Sequence, residues 1–161
     1  MTEMLTTAGR RRVVRRVHAP ADAVWAVVAD GWLYANWVVG TSRVRAVDST
    51  WPDEGSRIHH SFGVWPVLID DETVSLAAVP GERLRLRAKG WPMGEAQVEL
   101  SISEEPSGAC WVTIVEDAVT GPGVLVPRPL RQAAIAVRNT EALRRLALIA
   151  EGRHREWTNE A

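Results

Sequence analysis

The sequence predicts an α+β domain in which a curved antiparallel sheet of about seven strands wraps a long C-terminal helix, with two short helices after the first strand. Three observations lead there. Alternation of period two runs almost unbroken from Arg43 to Glu116, apolar residues recur at helical spacing from Pro129 to Gly152, and a short strand passes through His18-Ala19-Pro20 straight into an amphipathic helix. With 161 residues and 46% hydrophobic content, the chain is long enough for one domain that buries roughly two thirds of its unfolded surface. The expected limits are a single domain over 11–152, a flexible N-terminal tail over 1–10 and a C-terminal tail over 153–161 that is polar apart from Trp157.

In chain order, Val13 and Val17 share one strand face with Arg15, and the period then changes to helix spacing at Val24, Val27 and Val28. Pro20 marks the change, because its missing N–H has no intrahelical partner in the first turn, and Asp22 places an acid at the positive end of the helix. Gly31 is expected to end that helix. Trp32-Leu33-Tyr34-Ala35-Asn36-Trp37 then makes a second, small one.

The alternating region breaks at Trp51-Pro52-Asp53-Glu54-Gly55, Pro80-Gly81, Gly90-Trp91-Pro92-Met93-Gly94 and Glu104-Glu105-Pro106-Ser107-Gly108, which describes an antiparallel meander. Its clearest pair is 82–89 with 95–102, where Arg83, Arg85, Arg87 and Lys89 on one strand face Glu95, Gln97, Glu99 and Ser101 on the other. Lys89 opposite Glu95 puts Arg85 opposite Glu99, each exposed pair contributing ~0.2 to 1 kcal/mol. The inner face is then Leu84, Leu86, Ala88, Ala96, Val98 and Leu100, since a one-residue slip would turn all of them to solvent. Carried through the next turn, this register pairs Ile102 with Cys110, Leu100 with Val112, Val98 with Ile114 and Ala96 with Glu116. Glu116 either lies beyond the strand end in solvent or looks into a pocket beside the small Ala88 and Ala96.

The last helix is expected to carry Leu130, Ala133, Ala134, Val137, Leu143, Leu146, Ala147 and Ala150 on its apolar side, with Arg131, Arg138, Arg144 and Arg145 on its polar side. About twenty residues make it roughly 30 Å long, enough to cover the concave face of the sheet without filling it.

Several functions are excluded or disfavoured. A net charge of −1 gives no broad attraction to nucleic acid, and the basic cluster Arg10-Arg11-Arg12 with Arg15 and Arg16 falls on the first strand. No apolar run approaches the ~20 residues of a membrane span, and 1–9 lacks the hydrophobic core of a secretion signal, so a cytoplasmic protein is expected. The single Cys110 reads as a small core residue. His59 and His60 point to opposite faces of a strand and do not share a metal ion; no metal and no cofactor is expected. No nucleophile triad, phosphate loop or zinc spacing occurs.

Strand, two helices, six-strand meander and long helix is the order of the helix-grip fold. Over 11–152 the chain resembles the START/Bet v 1-like (SRPBCC) superfamily, in its polyketide cyclase/dehydrase branch. The resemblance is carried by Val17-His18-Ala19-Pro20 followed by Val24-Trp25 and Asp30, by Tyr34-Ala35-Asn36-Trp37 and Gly55-Ser56, and by Arg138-Asn139-Thr140-Glu141-Ala142-Leu143. It implies a cavity between sheet and helix that holds an apolar or aromatic small molecule. It leaves open whether the protein is a carrier, a cyclase or dehydratase, or a partner module. The last would need a sizeable exposed apolar patch, whereas the best-read strands put charge outward.

The candidate lining follows from residue type and parity. Eight Trp against one Phe and one Tyr is a biased aromatic set, and Trp suits a pocket wall because its N–H needs a partner; Trp37 and Trp65 are the candidates. Strand parity turns His60 inward between Ile58 and Phe62, either as a satisfied core histidine or as a pocket group able to move a proton. Asn139 lies in the stripe of Ile135, Ala142, Leu146 and Ile149, where its amide needs a partner from the protein or a ligand. Arg128 is either solvated surface or reaches an acidic ligand at the mouth. As an enzyme, the protein would use His60 or Glu116 to move a proton beside a ketone, with Asn139 or Arg128 holding the oxygen. Oligomeric state is not legible.

Overall fold

The structure, a computed structural model, describes residues 2–7, 10–89 and 94–160. Its strands are β1 (Thr2–Thr7), β2 (Arg10–Val17), β3 (Thr41–Val47), β4 (Arg57–Val64), β5 (Val67–Val79), β6 (Arg83–Lys89), β7 (Glu95–Glu104) and β8 (Cys110–Thr120). They form one antiparallel sheet in the order β1-β2-β8-β7-β6-β5-β4-β3, across which α1 (Ala21–Val28), α2 (Tyr34–Trp37) and α3 (Arg128–Glu160) pack. This is the helix-grip architecture. Seven strands match the expected set, and β1 adds an edge strand to β2 in the register Thr2↔Arg15 to Thr7↔Arg10, within the segment read as an N-terminal tail. Likewise α3 continues through 153–160, the segment read as a C-terminal tail, and its 33 residues span roughly 50 Å.

Local sequence accounts for the strand-to-helix passage. Pro20 caps α1, and its carbonyl accepts the Ala23 N–H at 3.0 Å. Gly31 opens a 3-10 turn whose cap is the Asp30 carboxylate, accepting from Trp32 N at 3.1 Å. Glycine is needed there for close approach rather than to stop α1, since a Cβ would fall 2.6 Å from Val47 Cγ1.

The β6–β7 pair has the expected register, Lys89↔Glu95, Arg85↔Glu99 and Leu86↔Val98, with the Arg85 and Glu99 side chains 3.6 Å apart at the surface. The turn residues 90–93 between them lie outside the described residues. The next pair differs from expectation by two residues: Leu100 pairs with Ile114, Val98 with Glu116 and Ala96 with Ala118, because the turn is tighter and Glu104 already pairs with Cys110. An even slip preserves the face of every side chain, so the inward placement of Glu116 stands.

The core joins Val13, Val17, Val24 and Val27 to Leu84, Leu100 and Ile114 on the sheet and to Leu143, Leu146 and Ala150 on α3. Cys110 is buried among them, and burial pushes its thiol pKa up to about 11, an inert core residue. The helix departs from its expected sides. Leu130 and Val137 are exposed, whereas Arg131 and Arg138 reach inward to carboxylates of β8. Only one stripe of α3 can face the sheet, and that stripe runs through Gln132, Ala136, Asn139, Leu143 and Leu146, seven residues and two turns at a time.

Candidate ligand-binding site

Between the concave sheet and α3 lies a cavity of about 400 Å³, lined mainly by apolar side chains and within the size range of small-molecule sites. It exists because the inner positions toward the open end of β6, β7 and β8 are small, namely Ala88, Ala96 and Ala118, and face the small Ala134 and Ala142 of α3. Trp37 and Val38 supply one wall and Ile114 and Val98 the floor.

Buried polar groups interrupt this apolar wall. His60 is 2% exposed and lies in the wall, its ring stacked on Tyr34 with centroids 5.3 Å apart and an interplanar angle of 28°. Its Nε2 is 3.0 Å from Thr73 Oγ1, which is also 2.9 Å from the Tyr34 hydroxyl. A chain in which each hydroxyl donates once runs from Tyr34 to Thr73 to Nε2, because the reverse direction would leave the buried phenol proton without an acceptor among the described residues. That assignment puts the proton of the neutral imidazole on Nδ1. Burial lowers the pKa of His60 below its ordinary value, against the opposing charge of Asp71, and burial pushes Tyr34 up to about 12, so the pair is neutral near pH 7.

The second group is Glu116, 3% exposed on β8, which accepts a hydrogen bond from the Arg138 guanidinium of α3. Arg138 is 37% exposed, so the carboxylate is sunk in the wall while its partner reaches from wall to opening. Beneath them Asp117 is held by Arg131 Nε at 3.0 Å and by Gln132 Nε2 at 3.0 Å, which fixes the start of α3 on β8.

Asn139 is buried in the cavity wall, and its Nδ2 has no partner; His60 Nδ1 has none either. These are two of three such buried side-chain atoms among the described residues, the third being Arg15 Nε. Buried polar atoms without partners are rare, and two of them in the wall of one apolar cavity point to an acceptor that the protein itself does not supply.

Of the residues read from sequence, Trp37, His60, Glu116 and Asn139 come together here. Trp65 does not: it stands at the tip of the β4–β5 turn and is 81% exposed, because the turn carries it past the end of the sheet. Arg128, at the start of α3, lies instead beside a groove with Arg10, Arg12 and Glu99. Parity also holds for His59, which faces away, 3.8 Å from Asp48. Sequence reasoning missed Tyr34, Thr73 and Arg138. Tyr34 stood within the quoted Tyr34-Ala35-Asn36-Trp37 motif, and Arg138 lies seven residues after Arg131, so both arginines sit on the flank of α3 next to β8. Among the described residues no group of three or more His, Cys, Asp or Glu is placed to hold a metal ion.

No family model and no curated protein matches this sequence. Solved structures do match its fold. A protein of Rhodobacter sphaeroides superposes with a TM-score of 0.70 at 21% identity, covering 92% of this chain and 97% of its own. The Zhui aromatase/cyclase from Streptomyces sp. R1128 gives 0.69 at 18% identity, covering 95% and 96%. The di-domain ARO/CYC StfQ from the steffimycin biosynthetic pathway gives 0.67 at 11% identity, with 88% of this chain matching 50% of that one. The chain shares the helix-grip fold of these structures. No described helix is long and apolar enough to cross a membrane.

Proposed function

We propose that the protein binds a neutral, apolar or aromatic small molecule bearing carbonyl or hydroxyl oxygens in the cavity between sheet and α3. The observation that carries this reading is the pair of unpartnered donors, His60 Nδ1 and Asn139 Nδ2, in the wall of an apolar cavity. A ligand oxygen satisfies such a donor, and leaving it unsatisfied costs ~1 to 3 kcal/mol. The charged groups of the lining are engaged, Glu116 by Arg138, Arg131 by Asp117 and Lys89 by Glu72, with Glu95 opposite Lys89 in the register, so no cluster of one sign favours a strongly ionic ligand. Trp37 and Tyr34, packed edge to face at 5.8 Å, offer aromatic surface to a planar ligand.

The matched test is a titration with two planar aromatic compounds of similar size, anthraquinone and anthracene. Saturable binding of the quinone at about one site per chain, several-fold tighter than the hydrocarbon, supports the reading; equal affinities would remove the role of the donors.

A cyclase- or dehydratase-type reaction is the second reading, favoured by a neutral imidazole and an ion-paired carboxylate in the same cavity as Asn139. Neighbours of the same fold include the aromatase/cyclases above. In that reading His60 moves the proton next to a ketone while Asn139 or Arg138, in place of Arg128, holds the oxygen. Its test is consumption of a linear polyketone by the wild-type protein and its loss in His60→Ala.

A further inference from the structure

We infer that the convex face of the sheet carries a second binding site, which takes a phosphate group, free or esterified, in a groove between β2 and β7. The groove and the apolar cavity lie on opposite faces of β8, so the site stands independently of the ligand reading above.

Parity brings its residues together. On β8, Val112, Ile114 and Glu116 turn inward, which sends Thr113 and Val115 to the convex face. Arg12 stands on the same face of β2, opposite Val115 and next to the buried Val13, and Arg10 follows two residues away. On β7, Glu99 and Ser101 alternate with the buried Leu100 and Ile102. With Arg128 at the start of α3 they enclose a groove of about 400 Å³, in which Val115 is the single apolar side chain among the described lining residues.

Positive charge in the groove is uncommitted. Its one carboxylate, Glu99, is approached from β6 by Arg85 at 3.6 Å. Arg12 has no ion-pair partner among the described residues. Arg10 stands 3.9 Å from Asp117, beyond hydrogen-bond distance, and that carboxylate is taken by Arg131 and Gln132 at 3.0 Å each. Arg128 is engaged in a contact of its own and adds only its charge at the end of the groove.

Two hydroxyls complete the site. Ser101 and Thr113 are opposed in the β7–β8 register, so their Cα atoms lie about 4.5 to 5.5 Å apart on one face. Thr113 is only 8% exposed, yet neither hydroxyl has a hydrogen-bond partner among the described residues. The same row continues to Arg83 of β6, an exposed arginine with no acidic partner among the described residues. The hydroxyl pair therefore lies between two available guanidiniums, Arg12 and Arg83.

A phosphate answers these donors together. Its oxygens point to the corners of a tetrahedron, so two can take the parallel N–H bonds of a guanidinium while another accepts from the hydroxyls. A carboxylate keeps both oxygens in one plane, and an arginine that holds both leaves none directed at the groove floor. Glu99 in the wall repels a longer polyanion, which confines the site to one phosphate group.

The test is calorimetric titration of the full chain, at low ionic strength, with inorganic phosphate, ribose 5-phosphate, ribose and succinate. A phosphate compound should bind saturably at about one site per chain, with ribose and succinate weaker by about tenfold or more. Equal affinities for inorganic phosphate and ribose 5-phosphate would support a site for the free anion, and tighter binding of the ester a site for esters. Arg12→Gln should weaken binding by about tenfold, and Thr113→Val by several-fold. Arg87→Gln makes the same charge change on the same face outside the groove, and screening should keep its effect below about twofold. If Arg12→Gln lowers thermal stability, Thr113→Val, which keeps shape and volume, decides in its place. No saturable phosphate binding by wild type, succinate binding as tightly as phosphate, unchanged binding by Thr113→Val, or equal losses in Arg12→Gln and Arg87→Gln would overturn the inference.

Discussion

Arg138 of α3 and Glu116 of β8 form an ion pair across the cavity in which only one partner can reach water: the carboxylate is buried, the guanidinium partly exposed. Seven residues earlier Arg131 pairs with Asp117, next to Glu116 in the chain. The two pairs clamp the first turns of the helix to the strand that forms the cavity floor. They also set the electrostatics of the site, because a carboxylate without its partner would make the cavity anionic.

This asymmetry predicts unequal losses. Arg138→Met leaves Glu116 buried and uncompensated, whereas Glu116→Gln leaves an arginine that can turn toward solvent. Arg138→Met is expected to destabilise by ~1 to 3 kcal/mol, below the range for fully buried pairs because Arg138 is partly exposed, and Glu116→Gln by distinctly less. Chemical denaturation of both variants reads this directly, and the reverse order would contradict the assigned burial.

His60 and His59 differ only in strand parity, and their replacement should differ accordingly. His60→Ala removes the stack on Tyr34 and the bond to Thr73, for an expected loss of ~1 to 3 kcal/mol together with weaker ligand binding. His59→Ala should stay within about 0.5 kcal/mol and leave binding unchanged. Equal effects of the two would invalidate the placement of the cavity wall.

The same histidine predicts the acid limb of the stability profile. Burial lowers its folded-state pKa below the ordinary 6.5, with Asp71 opposing and Arg45 and His59 adding to the shift. Between the two values the unfolded chain binds more protons than the folded one, so this contribution is complete above about pH 6.5 and is lost as pH falls. Thermal melts should show a drop in stability over that interval that is absent in His60→Gln.

Tyr34 gives an independent check at the other end of the scale. Its phenol is held protonated to about pH 12 by burial, so absorbance titration should show it ionising well above an ordinary tyrosine, in a chain with one tyrosine and therefore no overlapping signal. Ionisation near pH 10 with the fold intact would mean that water reaches the Tyr34–Thr73–His60 chain.

The fold was legible because its signals are local and periodic: the Pro20 switch, the complementary charges of β6 and β7, and the long helical stripe of α3 each specify one element. The facing of His60, Glu116 and Asn139 was legible for the same reason, since parity survives even the two-residue slip between β7 and β8. What escaped depends on distance through space. Trp65 looked like a wall residue because indole suits pockets, yet it lies beyond the last paired residues of β4 and β5, and only the turn geometry shows that. Arg138 looked like a solvated helix face because its partner is 22 residues away on another element. The exposed apolar patch, expected to be absent from the outward strand faces, sits on the turns, where alternation carries no information.

The account depends most on the cavity being a binding site, and isothermal titration of wild type against Ala134→Trp tests this directly, because Ala134 lines the space and a Trp there would fill it. Anthraquinone should bind wild type saturably at about one site per chain and fail to bind Ala134→Trp at unchanged folded stability. Equal binding by the two proteins, or no saturable binding by folded wild type, would contradict it.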